Sequence, residues 1–118
     1  MSTKKRVLIC DDELGIREAL KLILEDQYDL DESTTGNEAI EKVKNNNYDC
    51  MLLDIKMPTK DGLETLEEIH KISPTLKVIM VTGYQSIETA AKAVKLGAID
   101  YITKPFESSE VLDKLAKI

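Results

Sequence analysis

Five side chains able to do chemistry stand where short apolar runs end. Val7-Leu8-Ile9-Cys10 runs into Asp11-Asp12-Glu13, and Cys50-Met51-Leu52-Leu53 runs into Asp54. Lys77-Val78-Ile79-Met80-Val81 runs into Thr82-Gly83, and Ile99-Asp100-Tyr101-Ile102 runs into Thr103-Lys104-Pro105-Phe106. If the runs are parallel strands, Asp11, Asp12, Asp54, Thr82 and Lys104 all reach one edge of a sheet, where open α/β sheets bind ligands. Three carboxylates in one crevice repel unless one is protonated or a cation is bound. All-oxygen donors suit a hard divalent ion. Mg²⁺ fits because it needs only one or two carboxylates besides water and phosphate, and Mn²⁺ would accept the same donors. Lys104 would offset part of the remaining charge.

The reaction such a set could run is narrowed by what is missing. The lone histidine, His70, falls mid-helix beside charged neighbours and reads as a surface residue. No Ser-His-Asp or Cys-His pair is available, and no GxxxxGK[ST] phosphate loop occurs. A carboxylate nucleophile with a divalent cation, a lysine and a threonine points to phosphoryl transfer onto Asp54. Charge in the loose transition state spreads over three equatorial oxygens. The cation would take one and Lys104 another, leaving the third to the Thr82 hydroxyl or to nearby backbone N–H groups. Any one of these acids alone reads equally well as a helix cap or a solvated loop residue. Only the whole set, at matched strand ends, marks a site.

The elements that must position the set follow from periodicity. Continuous apolar runs of strand length are what parallel strands covered on both faces require. Tyr-Asp-Leu-Asp at 28–31 alternates instead and reads as a more exposed edge strand. Between the strands lie helical patterns: Ile16, Leu20, Ile23 and Leu24; Ala39, Ile40 and Val43; Leu63, Leu66 and Ile69; Ile87, Ala90, Ala91 and Val94; and Val111, Leu112 and Leu115. Thr35 to Glu38 and Asp61 to Glu64 have capping spacing. Ser73-Pro74 closes the third helix, and Gly97 suits the C-terminal cap of the fourth. The order βα, five times over, predicts a flavodoxin-like α/β fold. This is a (βα)5 three-layer sandwich with a parallel five-stranded sheet in the order 2-1-3-4-5, in which the first and third strands flank the crevice.

At 118 residues the chain forms one domain, with 42% hydrophobic and 32% charged residues. No apolar run approaches the roughly 20 residues of a membrane span, and the run after the basic N-terminus is too short for a signal peptide. The expected compartment is cytoplasmic. Cys10 and Cys50 each lie in an apolar run and read as buried reduced thiols. A net charge of −6 argues against nucleic acid binding by this domain.

Asp11-Asp12, Asp54 before Met57-Pro58, Thr82 and Lys104-Pro105, in this order and spacing, make the chain resemble the receiver domain of bacterial two-component response regulators over essentially its whole length. The resemblance implies a phosphorylation-activated signalling switch, acting only on its own phosphorylation and dephosphorylation. A sensor histidine kinase or phosphotransfer protein would supply the phosphoryl group to Asp54. Asp12 and Asp54 would ligate Mg²⁺ directly, Asp11 partly through water, and the Lys56 backbone carbonyl would be the third protein ligand. Thr82 and Lys104 would bind the phosphoryl oxygens, and Lys104-Pro105 would be a cis peptide. Tyr101 sits at the aromatic switch position and would turn inward as Thr82 moves. That would change the face formed by the fourth helix, fifth strand and fifth helix, where an output domain, a partner protein or a second copy would dock. The stretch from Thr82 to Phe106 looks most like receivers of σ54-dependent, NtrC-type transcription activators, which would make residues 1–118 the N-terminal part of a longer regulator. Lys56 and Tyr84, two residues beyond Asp54 and Thr82, occupy positions that tune the lifetime of the acyl phosphate in the family.

The same residues count against three rival readings. A receiver-like module acting without phosphorylation would usually lack an acid, the threonine or the lysine, and none is missing. A phosphatase with an aspartate nucleophile usually carries a second acid two residues on, where this chain has Lys56. A flavin protein of this fold would need a Ser/Thr-rich loop after the first strand, where Asp11-Asp12-Glu13 would repel a phosphate unless a metal intervened.

Overall fold

The computed structural model describes residues 4–57, 60–83 and 87–118. The elements alternate as β1 (Lys5–Cys10), α1 (Leu14–Leu24), β2 (Tyr28–Ser33), α2 (Gly36–Asn45), β3 (Cys50–Asp54), α3 (Gly62–Ile72), β4 (Lys77–Thr82), α4 (Ile87–Lys95), β5 (Asp100–Thr103) and α5 (Ser108–Leu115). The five strands form one sheet in the order β2-β1-β3-β4-β5, every pair parallel. The flavodoxin-like three-layer architecture read from the sequence is the one observed, with the alternating segment 28–33 at one edge.

Successive side chains of a strand point to opposite faces, so the apolar runs feed two cores. Leu8, Cys10, Met51, Leu53, Val78 and Met80 pack on one side with residues of α2, α3 and α4. Val7, Ile9, Cys50, Leu52, Ile79, Val81 and Ile102 pack on the other with Leu20 and Leu24 of α1 and Val111 and Leu115 of α5. Burying both faces of β1, β3 and β4 is what demands unbroken apolar runs there. Cys10 and Cys50 are buried and unlinked, and burial pushes both thiols up to about 12.

The capping signals work at atomic level. The Thr35 hydroxyl accepts from the Glu38 N–H at 3.1 Å, and Asp61 Oδ1 accepts from the Glu64 N–H at 2.9 Å. The Glu38 carboxylate reaches back to the N–H of Thr34, one residue before the cap. Gly97 has φ +112°, and the N–H groups of Gly97 and Ala98 bond to the carbonyls of Val94 and Ala93. That pattern is a Schellman cap, and a side chain at Gly97 would also run into His70 on α3. His70 itself is exposed, as read.

Of the helically spaced residues Ile87, Ala90, Ala91 and Val94 of α4, the two whose side chains are described do not face the core. Val94 is 60% exposed and Ala91 is exposed, while Ala93 is buried at 3%. The side chains of Ile87 and Ala90 lie outside the described residues. The Schellman cap sets the phase of this helix. It places Ala98 against Ala93, and both join the core with Leu96 beside them. Alanines on both sides of the helix gave periodicity little with which to tell its faces apart. In the same region Ile99 precedes β5 rather than opening it, and is 49% exposed.

Candidate functional site: an acidic cleft at the carboxyl edge of the sheet

Parallel register carries β1, β3, β4 and β5 to a common edge. Cys10 pairs with Leu53, Asp54 with Val81 and Thr82 with Thr103. The next residues of each strand therefore meet. Asp11 is 1% exposed, Asp54 4% and Thr82 3%, while Asp12 and Glu13 are open to solvent. Lys104 enters from beyond β5. Its backbone N–H bonds the Thr82 carbonyl at 2.8 Å, which continues the sheet pairing by one residue. The Lys104-Pro105 peptide is cis, as expected.

The Lys104 ammonium lies 2.8 Å from Asp11 Oδ2, 3.3 Å from Glu13 Oε1 and 3.5 Å from Asp54 Oδ1. Glu13, Asp54, Lys56, Thr82, Gly83 and Lys104 line a cleft of about 140 Å³. One oxygen from each of Asp11, Asp12, Glu13 and Asp54 can be chosen so that all four lie within 4.8 Å of one another.

One lysine does not balance four carboxylates, and the protonation energetics show it. Burial first, and then the charges of Asp11 and Asp12, push the Asp54 carboxyl up to about 6. The Lys104 ammonium and the Lys56 backbone N–H act in the opposite direction. Burial disfavours the charge on Lys104, but Asp11, Asp54 and Glu13 together raise it above its ordinary value and hold it protonated. The arrangement is a site with surplus negative charge and hard oxygen donors, as a small divalent cation requires.

Every strand-end residue singled out in the sequence reaches this edge. Glu13 belongs there too, a residue to which the sequence pattern alone assigns no role of its own. The signal was its place in the Asp11-Asp12-Glu13 run. Lys56 lines the cleft mouth, whereas Tyr84 and Pro58 lie outside the described residues. Tyr101 stays apart from the cleft on edge strand β5, 41% exposed. Lys114 Nζ stands 5.4 Å from the centre of its ring and donates to the Tyr101 carbonyl at 2.6 Å and to Asp100 Oδ1 at 3.0 Å.

A family model described as the response regulator receiver domain matches residues 7–116. The chemotaxis protein CheY of Halobacterium salinarum is 39% identical over 115 residues, which span 97% of this chain and 96% of that protein. The transcriptional regulatory protein ZraR of Escherichia coli K12 is 34% identical over 112 residues, 94% of this chain but 25% of that protein. Among solved structures, a CheY-like response regulator receiver domain protein from Methanospirillum hungatei JF-1 superposes with a TM-score of 0.93 at 39% identity, covering 98% of this chain and 93% of that one. In fold and in sequence over nearly its whole length, this chain belongs to the response regulator receiver domain family.

Proposed function

We propose that the chain is a phosphorylation-activated switch in which Asp54 is the phosphoryl acceptor. The observation that carries this reading is the Lys104 ammonium, brought across the sheet edge to within 3.5 Å of Asp54 and 2.8 Å of Asp11. A carboxylate oxygen of Asp54 attacks the phosphorus of a phosphohistidine on a sensor histidine kinase or phosphotransfer protein. The O–P bond forms, the N–P bond breaks, and its electron pair returns to the imidazole. The acyl phosphate stays on the protein as the signal.

Asp12, Asp54 and the Lys56 backbone carbonyl would hold Mg²⁺, or Mn²⁺, with Asp11 acting partly through water. When bound, the ion neutralises charge developing on the phosphoryl oxygens. Lys104 supplies a fixed positive charge to another oxygen, and Thr82, buried in the cleft wall, supplies a hydroxyl. Asp11 holds Lys104 at its post.

Tyr101 would report the change. It faces solvent beside Lys114, and its inward turn would remodel the face of α4, β5 and α5. There an output domain, a partner protein or a second copy would engage. Val94 and Ile99, both large and exposed, lie on α4 and just ahead of β5. The switch would act in the cytoplasm, facing neither a membrane nor nucleic acid directly. Its output would be transcription, with residues 1–118 as the N-terminal receiver of an NtrC-type activator; similarity to the transcriptional regulatory protein ZraR supports this output, while similarity to the chemotaxis protein CheY supports one outside transcription.

Incubation with acetyl phosphate and Mg²⁺ should yield a hydroxylamine-labile adduct that is lost in Asp54→Asn. No adduct, or one that survives the substitution, would overturn the assignment. Lys56 and Tyr84 should also set how long the adduct lasts by screening it from water. In Lys56→Ala and in Tyr84→Ala the adduct should hydrolyse roughly threefold faster, read as the decay of labelled phosphate. Unchanged or slower decay would remove them from that role.

A further inference from the structure

Asp11 is held at every polar atom, and two of those bonds, to Ser33 and to Arg17, come from outside the cleft. Its N–H donates to the Ser33 carbonyl at 3.2 Å. Its Oδ1 accepts from the Glu13 N–H at 2.9 Å and its Oδ2 from Lys104 at 2.8 Å. Its backbone carbonyl accepts from Arg17 Nη1 at 2.9 Å. Arg17 lies on the first turn of α1 with its side chain 13% exposed, and its Nε donates to Glu32 Oε1 on β2 at 3.1 Å. The second oxygen of Glu32 takes Lys21 at 3.1 Å. A planar guanidinium bound at two nitrogens to two different elements is fixed in position and angle, which an ammonium cannot match.

The Asp11 carbonyl belongs to the peptide unit that leads into Asp12. The tilt of that unit decides where the Asp12 carboxylate points. We infer that Arg17, braced by Glu32, is a positioning residue for the divalent-cation site: it fixes the Asp11–Asp12 peptide and thereby keeps the Asp12 carboxylate turned toward Asp54. The inference rests on the reading of the cleft as a cation site, and it extends that site to the first helix and the edge strand. Partners one step removed from metal ligands set their orientation, and losing one typically weakens the metal about 10- to 100-fold.

Charge alone predicts the opposite sign. Arg17 is a cation near a cation site, so its removal should tighten Mg²⁺ if only its field matters. Mg²⁺ affinity, measured by titration calorimetry at fixed ionic strength and without phosphodonor, separates the two. Arg17→Ala should bind Mg²⁺ about tenfold more weakly than the unaltered chain. Arg17→Lys keeps the charge but loses the fork, and should bind about threefold more weakly. Lys21→Ala removes the other cation on Glu32 without touching Asp11, and should bind as well as the unaltered chain or slightly better. At saturating Mg²⁺ the rate of adduct formation from acetyl phosphate should recover in both Arg17 variants.

If both Arg17 variants bind Mg²⁺ as tightly as the unaltered chain and lose only melting temperature, the inference is overturned and Arg17 merely ties α1 to β2. If Arg17→Ala does not fold, Arg17→Lys decides. If the unaltered chain itself takes no Mg²⁺, the reading of the cleft falls and this inference falls with it, a result distinct from equal affinities.

Discussion

Replacing Gly62 with Ala should lower the unfolding free energy by about 3 kcal/mol or more, a size reserved for severe overpacking. A Cβ built there would stand 2.1 Å from the Asp54 carbonyl oxygen, 2.6 Å from Ile55 Cα and 2.8 Å from the Asp54 carbonyl carbon. All three are backbone atoms, so no rotamer change relieves the contact. The Gly62 N–H also donates to the Ile55 carbonyl at 2.6 Å, which pins the start of α3 against the end of β3. The substitution must either break that bond or push the backbone carrying the Asp54 carboxylate out of the cleft. Urea denaturation would measure it, with Gly15→Ala as the comparison. Gly15 has open space where its Cβ would go and lies in α1, so that change should be neutral or stabilise by up to about 1 kcal/mol. A loss below about 1 kcal/mol at Gly62 would mean that the two backbones are not in contact.

In the presence of chelator, Asp54→Asn should stabilise the domain at pH 7–8 by about 1–2 kcal/mol, a gain that disappears near pH 4. The Asp54 carboxyl is pushed up to about 6 from an ordinary value of 3.8, by burial first and by Asp11 next. Between those two values the native state holds a proton that the unfolded chain has released. Stability is therefore lost as pH rises through this window, and above pH 6 the whole cost is present. Below pH 4 both states are protonated and no cost remains. Asparagine has nearly the same shape and no charge to desolvate, so it removes the cost only where the aspartate would be ionised. Thermal unfolding of both forms from pH 4 to pH 8 gives the curve directly. Mg²⁺ should close the gap at pH 7 by raising the melting temperature of the unaltered chain more than that of Asp54→Asn. A gain independent of pH would mean that the residue is not held under charge repulsion.

The two substitutions bear on one design feature. The end of β3 is packed from below by α3 so closely that only glycine fits, and from above it faces other carboxylates. Rigid backbone under a charge-strained side chain keeps the buried Asp54 carboxylate fixed in the wall of the cleft. The energetic cost of that arrangement falls on the metal-free state. The carboxylate whose ionisation is opposed by burial and by Asp11 is the one that a cation would relieve.

Much of this was legible in the linear chain because the physical constraints on it are local or periodic. A strand buried on both faces must be apolar throughout, so β1, β3 and β4 declare themselves, and an acid or hydroxyl that ends such a run must be at the sheet edge. Thr35 and Asp61 cap helices through side chains that bond three residues away, a distance any sequence displays. Alternation of strand and helix leaves few topologies, and the right-handed crossover selects among them.

By itself, then, the sequence determined the fold, the edge at which Asp11, Asp12, Asp54, Thr82 and Lys104 gather, and the chemistry their types allow. The tertiary structure decided what depends on distance across the sheet. It turned Ala93 rather than Ala91 and Val94 toward the core, because a cap at Gly97 and not the apolar count sets the phase of α4. It brought Glu13 to Lys104 and Arg17 to the carbonyl of Asp11, since contacts between a helix, a loop and a strand leave no period in the chain. It also made the Asp54 carboxyl hold its proton up to about 6, because burial and the field of Asp11 exist only once the strands are side by side.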